Sequence, residues 1–250
     1  MPDTLKPKVA FFDFAGCEGC QIEFTNYGDE ATLELLKHVD IVEFREAMSE
    51  KTTERIDIAL VEGSFTREAD RERLRAIRHR ARVVIAYGAC AATGGINALK
   101  NHQDDFHEAV YGEDALAAHL LSGPALPISS VIEVDYEARG CPASKYELLQ
   151  ILSSLLHNCE PLVPTYAVCV ECKRLETVCR YDEGDHCMGQ VARAGCGAPC
   201  PADGIPCEAC RGFVDGPNLR SLEKVLIERA GFSQSRAVSK SRMFTANLRS

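Results

Sequence analysis

The chain has 250 residues, of which 46% are hydrophobic and 26% charged, so its composition is globular and excludes extensive disorder and fibrous structure. The net charge of −9 and the absence of Trp argue against nucleic-acid binding, because phosphate contacts need clustered Lys and Arg. The 13 cysteines are far more than a chain of this length usually carries, and they indicate disulfides, zinc or iron–sulfur clusters.

The compartment bears on the choice among these explanations. The first residues show no long apolar segment, no twin-arginine pair and no small-residue cleavage site. No apolar run approaches the ~20 residues that span a bilayer. We therefore expect a cytoplasmic protein without a membrane partner. In a reducing compartment, closely spaced cysteines are more typical of metal ligands than of disulfides.

The first part of the chain is predicted to alternate between short apolar strands and helices. Strands are predicted at residues 8–14, 40–44, 57–61, 83–87 and 131–134. Helices are predicted at residues 21–38, with Ile22, Leu33, Leu35 and Leu36 as apolar anchors, at 66–80, with Leu74 and Ile77 facing inward, and at 144–157. This alternation predicts an α/β fold with a doubly wound parallel sheet.

Four cysteines follow the carboxyl ends of predicted strands. They are Cys17 and Cys20 after the first strand, Cys90 after the fourth and Cys141 after the fifth. Ligands of open parallel sheets bind at this edge, so we expect the four thiols to meet there. Four thiolates suit tetrahedral zinc or a [4Fe–4S] cubane. One CxxC pair plus two isolated cysteines, in a domain with its own sheet, favours the cubane.

The composition changes at Pro161 and Pro164, which divides the chain into a domain of residues 1–160 and a second of residues 161–250. The second part carries eight cysteines, enough for two more cubanes, and it is rich in Gly and Pro. Metal coordination must therefore replace a conventional core. A sequential division gives the sets Cys169, Cys172, Cys179, Cys187 and Cys196, Cys200, Cys207, Cys210. An interleaved division stays open.

Several side chains near the cysteines have two interpretations each. Glu62 ends the third predicted strand, and it is either a group that tunes the cluster or a solvated loop carboxylate. His186 could replace Cys179 as a ligand. We expect Cys159, the thirteenth cysteine, to be a buried apolar thiol. The cations that flank the second cysteine group either lie on the surface or steer an acidic partner, and they are Lys173, Arg174, Arg180 and Arg211.

An ordered series of motifs makes the chain resemble a known family. The motifs are GCEGCQ (16–21), EGS (62–64), GACAATGG (88–95), GCPAS (140–144), CVECK (169–173), CMGQVARAGC (187–196) and PCEACRG (206–212). With these motifs the chain resembles the small, electron-transferring subunit of [NiFe] hydrogenases. It looks most like the cytoplasmic group that works with a nicotinamide, F420 or heterodisulfide-reductase partner. The related complex I subunit has two adjacent cysteines in its cluster motif, and this chain has no such pair.

The resemblance implies a flavodoxin-like domain followed by a small irregular domain, with three [4Fe–4S] clusters. It implies a proximal cluster on Cys17, Cys20, Cys90 and Cys141, with Glu62 beside it. It implies a medial cluster on Cys196, Cys200, Cys207 and Cys210, where periplasmic relatives have three cysteines and a [3Fe–4S] cluster. It implies a distal cluster on Cys169, Cys172, Cys179 and Cys187, where those relatives have one His. The loops between Cys172 and Cys187 differ in length from the relatives, so Cys179 has the weakest match.

The function that the resemblance implies is electron transfer within a hydrogenase. No catalytic residue lies on this chain, because the nickel–iron centre needs two CxxC pairs of its own on a separate large subunit. The chain would carry electrons between that centre, where dihydrogen is oxidised or protons are reduced, and a flavin- or iron–sulfur-containing acceptor subunit. Two alternatives stay open, an iron–sulfur subunit of another oxidoreductase complex and a structural zinc protein. The acceptor, the favoured direction, the oxygen tolerance and the stoichiometry are not given by the sequence.

Overall fold

The computed structural model describes residues 6–26, 30–112 and 122–248. Within them, five parallel strands form one sheet in the order β2-β1-β3-β4-β5. The strands are β1 (Lys8–Asp13), β2 (Asp40–Phe44), β3 (Ile56–Glu62), β4 (Ala81–Tyr87) and β5 (Tyr136–Ala138). This is the strand order of flavodoxin-like folds, and it confirms the predicted parallel α/β architecture.

Helices cover both faces of the sheet. They are α1 (Gly19–Thr25), α2 (Glu30–Leu36), α3 (Asp70–Arg80), α4 (Gly88–Thr93), α5 (Phe106–Tyr111) and α6 (Lys145–Leu156). Successive side chains of β1 point to opposite faces. Phe11 joins a buried cluster that includes residues of α1, α2 and α6. Phe12 joins the cluster on the other face, where α3 contributes Leu74 and Ile77 as predicted.

The fifth strand lies later than the sequence indicates. Residues 131–134 form no strand, and the ladder with β4 is made by Tyr136–Ala138. Ile132 instead packs into the apolar cluster beneath the sheet, with Val131 and Val134 beside it. The strand predicted at 131–134 was therefore wrong, because this segment packs through its apolar side chains and does not pair through its backbone.

The long helix predicted at residues 21–38 was also wrong. The structure has α1 and α2 on either side of residues 27–29, which lie outside the described part of the chain. Leu35 is buried and Leu36 half-buried, but Ile22 and Leu33 are 57% and 50% exposed. The helix predicted at 66–80 starts later, at Asp70, and the one predicted at 144–157 is α6.

The cysteine-rich part of the chain has short helices around a third apolar cluster. The helices are α7 (Val168–Arg174), α8 (Pro199–Ala202), α9 (Leu219–Glu228) and α10 (Gln234–Lys240). Leu222 and Leu226 of α9 are fully buried in this cluster, together with Met188 and Phe213. The apolar stripe of α9 thus packs against the cysteine-rich segment of its own chain.

The last described residues return to the sheet. Residues 246–248 form a short 3-10 helix, and the side-chain amide of Asn247 donates to the carbonyls of Thr93 (3.0 Å) and Ala125 (2.9 Å). The hydroxyl of Thr93 in turn donates to the carbonyl of Phe244 at 3.3 Å. The loop after Cys90 is therefore held by the tail of the chain. None of the described helices is both long enough and apolar enough to cross a bilayer.

Candidate metal centres

The N-terminal set comprises Cys17, Cys20, Cys90 and Cys141, which come from separate loops and helices at the carboxyl edge of the sheet. Burial raises the pKa of the Cys90 thiol to about 12, and the charges of Cys141 and Cys17 add to this effect. Burial raises the pKa of Cys20 as well, with Glu62 and Cys90 adding to it. The thiols of Cys17, Cys20 and Cys141 thus lie near enough to Cys90 for their charges to act on one another.

Two glycines let the backbone pass directly against these sulfurs. Gly88 has φ +90°, and a Cβ there would lie 2.5 Å from Cys20 Sγ. Gly95 has φ +56°, and its Cβ would lie 3.0 Å from Cys90 Sγ. The backbone N–H of Ala143 donates to Cys20 Sγ at 3.4 Å. This surrounding suits an anionic group, because N–H dipoles that face sulfur stabilise negative charge there.

Glu62 is held inside the protein beside this set. It is 4% exposed, so it is not a solvated loop carboxylate. Its two oxygens accept hydrogen bonds from the backbone N–H groups of Cys20 and Gln21, each at 3.1 Å. The hydroxyl of Tyr87 donates to the carbonyl of Cys20 at 2.6 Å. Glu62 and Tyr87 together fix the turn of α1 that carries Cys20.

Asn97 also contacts this set, although nothing in the sequence pattern singles it out. Its amide nitrogen lies 3.1 Å from the Ala15 carbonyl, 3.2 Å from Ser64 Oγ and 3.7 Å from Cys90 Sγ. Asn97 thereby connects the loop that precedes Cys17, the end of β3 and the Cys90 sulfur. No motif marks the residue, because its role depends on contacts that are distant in sequence.

The sequential division of the eight later cysteines gives two sets. The outer set is Cys169, Cys172, Cys179 and Cys187, and the middle set is Cys196, Cys200, Cys207 and Cys210. Burial raises the pKa of one outer member, Cys169, to about 11, and the other three members add to that effect. Burial likewise raises the pKa of Cys207 and Cys210, and the charges of other members of the middle set raise both pKa values further.

The middle set contacts both of the other sets. Burial raises the pKa of Cys210, and Cys141 of the N-terminal set acts on it through both its backbone N–H and its thiol charge. On the other side, the backbone N–H of Cys207 donates to Cys187 Sγ of the outer set at 3.4 Å. The middle set is therefore linked to each of the other two sets.

Several residues within the cysteine motifs have left-handed backbone conformations. Glu18, Ala198 and Ala209 have φ between 53° and 60°, which is uncommon for residues with a side chain. The backbone N–H of Ala198 bonds to the Cys196 sulfur and that of Ala209 to the Cys207 sulfur, and both bonds oppose the rise in pKa that burial causes. Such turns form concave nests of N–H groups that bind anions, and strained backbone of this kind clusters at functional sites.

Arg211 does not lie on the surface, so the expectation that it steers an acidic partner was wrong. It is 2% exposed and forms a two-pronged ion pair with Glu147 of α6, at 2.7 Å for one of the two bonds. Glu171, within the first CxxC of the outer set, accepts from the backbone N–H of Gly195 at 2.8 Å. Sequence reasoning missed Glu147 and Glu171, because their partners are distant along the chain.

Two further expectations have outcomes in the structure. Cys159 is exposed, so the prediction of a buried apolar thiol was wrong. The two ring nitrogens of His186 lie 2.9 Å from an Asp185 oxygen and 3.2 Å from a Glu208 oxygen. Both ring nitrogens of His186, the two atoms through which it could bind a metal, therefore have a carboxylate oxygen as partner.

Single-ion sites and cluster sites differ in their geometric requirements. In the described part of the chain, no three His, Cys, Asp or Glu side chains converge closely enough to hold one metal ion. In a [4Fe–4S] cubane iron and sulfide alternate at the corners and each of the four irons binds one thiolate, so the four thiolates stand further apart than the four ligands of one zinc ion.

Comparisons with known proteins give a consistent result. The family model described as the 20 kDa subunit of NADH ubiquinone oxidoreductase matches residues 17–155. Sulfhydrogenase 2 subunit delta of Pyrococcus furiosus is 34% identical over 222 residues, which cover 88% of this chain and 92% of the relative. A vhu subunit of the F420-non-reducing hydrogenase from Methanocaldococcus jannaschii is 34% identical over 242 residues, with 85% and 84% coverage.

Solved structures of hydrogenases share the fold. A crystal structure of an NAD+-reducing [NiFe]-hydrogenase in the H2-reduced state contains a chain that matches with TM-score 0.56 and 31% identity, over 64% of this chain and 96% of that one. The [NiFeSe] hydrogenase of Desulfovibrio vulgaris Hildenborough matches with TM-score 0.56 and 19% identity, over 88% of this chain and 97% of that one. At 19% identity the second match shows the fold alone.

Proposed function

Since the chain belongs to the family of the 20 kDa subunit of NADH ubiquinone oxidoreductase, and its relatives include hydrogenase subunits, we propose that it is the electron-transfer small subunit of a cytoplasmic [NiFe] hydrogenase. The observation that carries the proposal is the linkage of the three cysteine sets, in which the middle set contacts both others. A relay of single electrons needs such links, because each centre must lie close to the next.

The residues present fit iron–sulfur clusters. Each set offers four thiols, and the glycines and left-handed residues beside them leave backbone N–H groups facing sulfur. We assign the proximal [4Fe–4S] cluster to the N-terminal set, the medial cluster to the middle set and the distal cluster to the outer set. Clusters bound there would take up and release one electron at a time. The chain would hold them by its thiolates and would stabilise added negative charge through N–H groups.

The surrounding assembly follows from the same proposal. The described residues contain three cysteine sets and no further CxxC pairs for a nickel–iron centre, so a separate large subunit would supply it. The proximal cluster would face that subunit. The distal cluster would face an acceptor subunit that carries a flavin or iron–sulfur clusters. In this assignment residues 1–160 form the sheet domain, and residues 161–250 form the domain of the medial and distal clusters.

The test is anaerobic metal analysis of the natively purified complex. We expect about twelve iron and twelve sulfide per copy of this chain, with a broad visible absorption that dithionite bleaches. Nickel in the same chromatographic peak would support a hydrogenase large subunit. Zinc in place of iron would overturn the electron-transfer role, and iron without nickel would assign the chain to another oxidoreductase complex.

A further inference from the structure

One buried cation lies where the loops of two cysteine sets and a helix of the sheet domain meet. Arg211 directly follows Cys210 of the middle set and is 2% exposed. Its Nε donates to the carbonyl of Ala194, two residues before Cys196, at 2.8 Å. One of its Nη atoms also donates to the carbonyl of Arg139, two residues before Cys141 of the N-terminal set. The guanidinium is thus fixed by backbone on both sides.

Glu147 holds the other edge of the same guanidinium. Its two oxygens accept from the two Nη atoms of Arg211, so the pair is bidentate, and Glu147 is 5% exposed. Burial raises the pKa of Glu147, and Arg211 opposes that rise. Arg does not lose its proton in proteins, so the guanidinium remains a positive charge at this depth.

Stability alone does not account for this pair. Replacing a buried ion pair by apolar residues of the same shape is often neutral or stabilising, because desolvation offsets the Coulomb attraction. Apolar side chains in this place would leave the carbonyls of Ala194 and Arg139 without this donor. They would not supply a charge beside the cysteine sulfurs.

The charge lies beside the middle set. Gly195, the residue before Cys196, packs directly on the guanidinium, and a Cβ there would lie 2.5 Å from one Nη atom of Arg211. Arg211 also lines one cavity together with the four cysteines of the middle set, Cys196, Cys200, Cys207 and Cys210. A positive charge at this place favours negative charge on the neighbouring sulfurs. A cluster becomes more negative when it gains an electron, so the same charge favours the reduced state.

We propose that the Arg211 guanidinium raises the reduction potential of the cluster held by the middle set, and that Glu147 limits this rise by partial neutralisation. The inference rests on the proposed function, because it requires a cluster at the middle set. It assigns Arg211 and Glu147 as positioning residues for charge, neither of which coordinates iron. The two side chains then act on the potential with opposite signs.

The test is an EPR-monitored redox titration of the intact complex with Arg211→Gln and Glu147→Gln. Arg211→Gln should lower the medial potential, and Glu147→Gln should raise it. Loss of one buried charge beside the cluster changes the ratio of reduced to oxidised cluster at a fixed potential by about tenfold. This change corresponds to a shift of about 59 mV in the potential of a one-electron couple. The cluster of the N-terminal set serves as an internal reference and should shift less.

Matched variants separate charge from structure. Lys224 and Glu228 form an exposed pair on α9, so Lys224→Gln and Glu228→Gln remove the same charges far from the interior and should leave the medial potential unchanged. Arg211→Lys keeps the positive charge but loses the bidentate geometry of the guanidinium. It should therefore lower the midpoint of thermal unfolding while it preserves most of the wild-type medial potential. If Arg211→Gln does not fold, Glu147→Gln and Arg211→Lys still decide the question.

The outcomes distinguish the inference from the function on which it rests. Complexes without iron would overturn the proposed function. Clusters that are present, with Arg211→Gln and Glu147→Gln shifting the medial potential in the same direction or not at all, would overturn the inference alone. A shift of the medial potential in Arg211→Lys as large as that in Arg211→Gln would also overturn the inference, since the bidentate geometry of the guanidinium and not its charge would then be responsible.

Discussion

Among single residues, Cys200 is the one that we expect to decide the composition of the proposed medial cluster. It is exposed and lies between Pro199 and Pro201 in α8, where the ring of each proline restricts the backbone. We expect Cys200→Ser to lower iron by about one atom per chain and to give the EPR signal of an oxidised [3Fe–4S] cluster, because a cubane that loses one corner ligand releases that iron.

The matched control is Cys159→Ser, which removes the exposed cysteine outside the three sets. It should leave both the iron content and the EPR spectrum unchanged. Equal iron in the two variants, with no new signal in Cys200→Ser, would mean that Cys200 is not a ligand.

Asn97 supplies an N–H group to the Cys90 sulfur and so should tune the proximal cluster. Asn97→Leu keeps the size of the side chain but loses the donor, so we expect the proximal potential to fall. Asn97→Asp should lower it further, because it adds negative charge. The loss of two other hydrogen bonds, to Ala15 and Ser64, should lower stability by about 1–3 kcal/mol.

Redox titration and thermal unfolding measure the two effects separately. The medial potential should stay constant in both variants. A proximal potential that is the same in wild type, Asn97→Leu and Asn97→Asp would show that Asn97 acts only as a structural connection between loops.

The sequence predicts a grouping of the cysteines, but it does not predict their surroundings. Spacing and placement after strands bring Cys17, Cys20 and Cys90 into one group, because parallel strands end at one edge. Arg211 was expected at the surface because charged residues usually lie there. Its burial depends on Glu147, which is 64 positions away in sequence and carries no sign of that partnership.

Among the elements, α9 shows how little apolar surface supports the cysteine-rich part. Leu226 is fully buried in the third cluster, and this cluster includes Cys207. We expect Leu226→Ala to cost about 2–5 kcal/mol through the cavity that it leaves. The variant should also lose iron from the middle and outer sets, since the same cluster supports both.

Lys224→Ala is the control on the same helix, because its side chain is 71% exposed. Calorimetry and iron analysis of the two variants provide the comparison. Full iron content in a destabilised Leu226→Ala chain would show that α9 supports the fold without supporting the cluster sites.

Strand prediction succeeded where burial and pairing coincide. Residues 8–14, 40–44, 57–61 and 83–87 each overlap an observed strand. The inner strands are recognisable because a strand buried on both faces is a largely apolar run, whereas the edge strand at 40–44 is only half-buried. The run at 131–134 is equally apolar but packs beneath the sheet. The pairing with β4 starts instead at Asp135, whose carboxylate accepts from the Val84 N–H at 2.7 Å. Hydropathy reports burial and does not show which backbone completes the ladder.

At the scale of the whole molecule, the two parts of the chain should depend differently on iron. The sheet carries an apolar cluster on each face, built from strands and helices that need no metal. The cysteine-rich part has short helices and a smaller cluster that includes cysteines and borders others. We expect chelation under anaerobic conditions to expose residues 165–215 to protease and hydrogen exchange while the strands remain protected.

Hydrogen exchange followed by mass spectrometry would map this difference along the full chain. The iron-loaded complex serves as the reference. Equal loss of protection in β3 and in α7 would mean that the chain unfolds as one unit when iron is removed, and that the clusters stabilise the sheet as well.

The hydrogen bonds that join Thr93 to Asn247 and to Phe244 have a consequence for biosynthesis. The ribosome makes the loop that carries Cys90 early and the residues that hold it more than 150 positions later. The nascent chain can form strands and cover them during translation, but it cannot close this loop until its tail emerges. Cluster delivery to the first set should therefore follow the synthesis of residues 244–247, and a pulse-chase experiment should find it delayed in chains that are cut before residue 244.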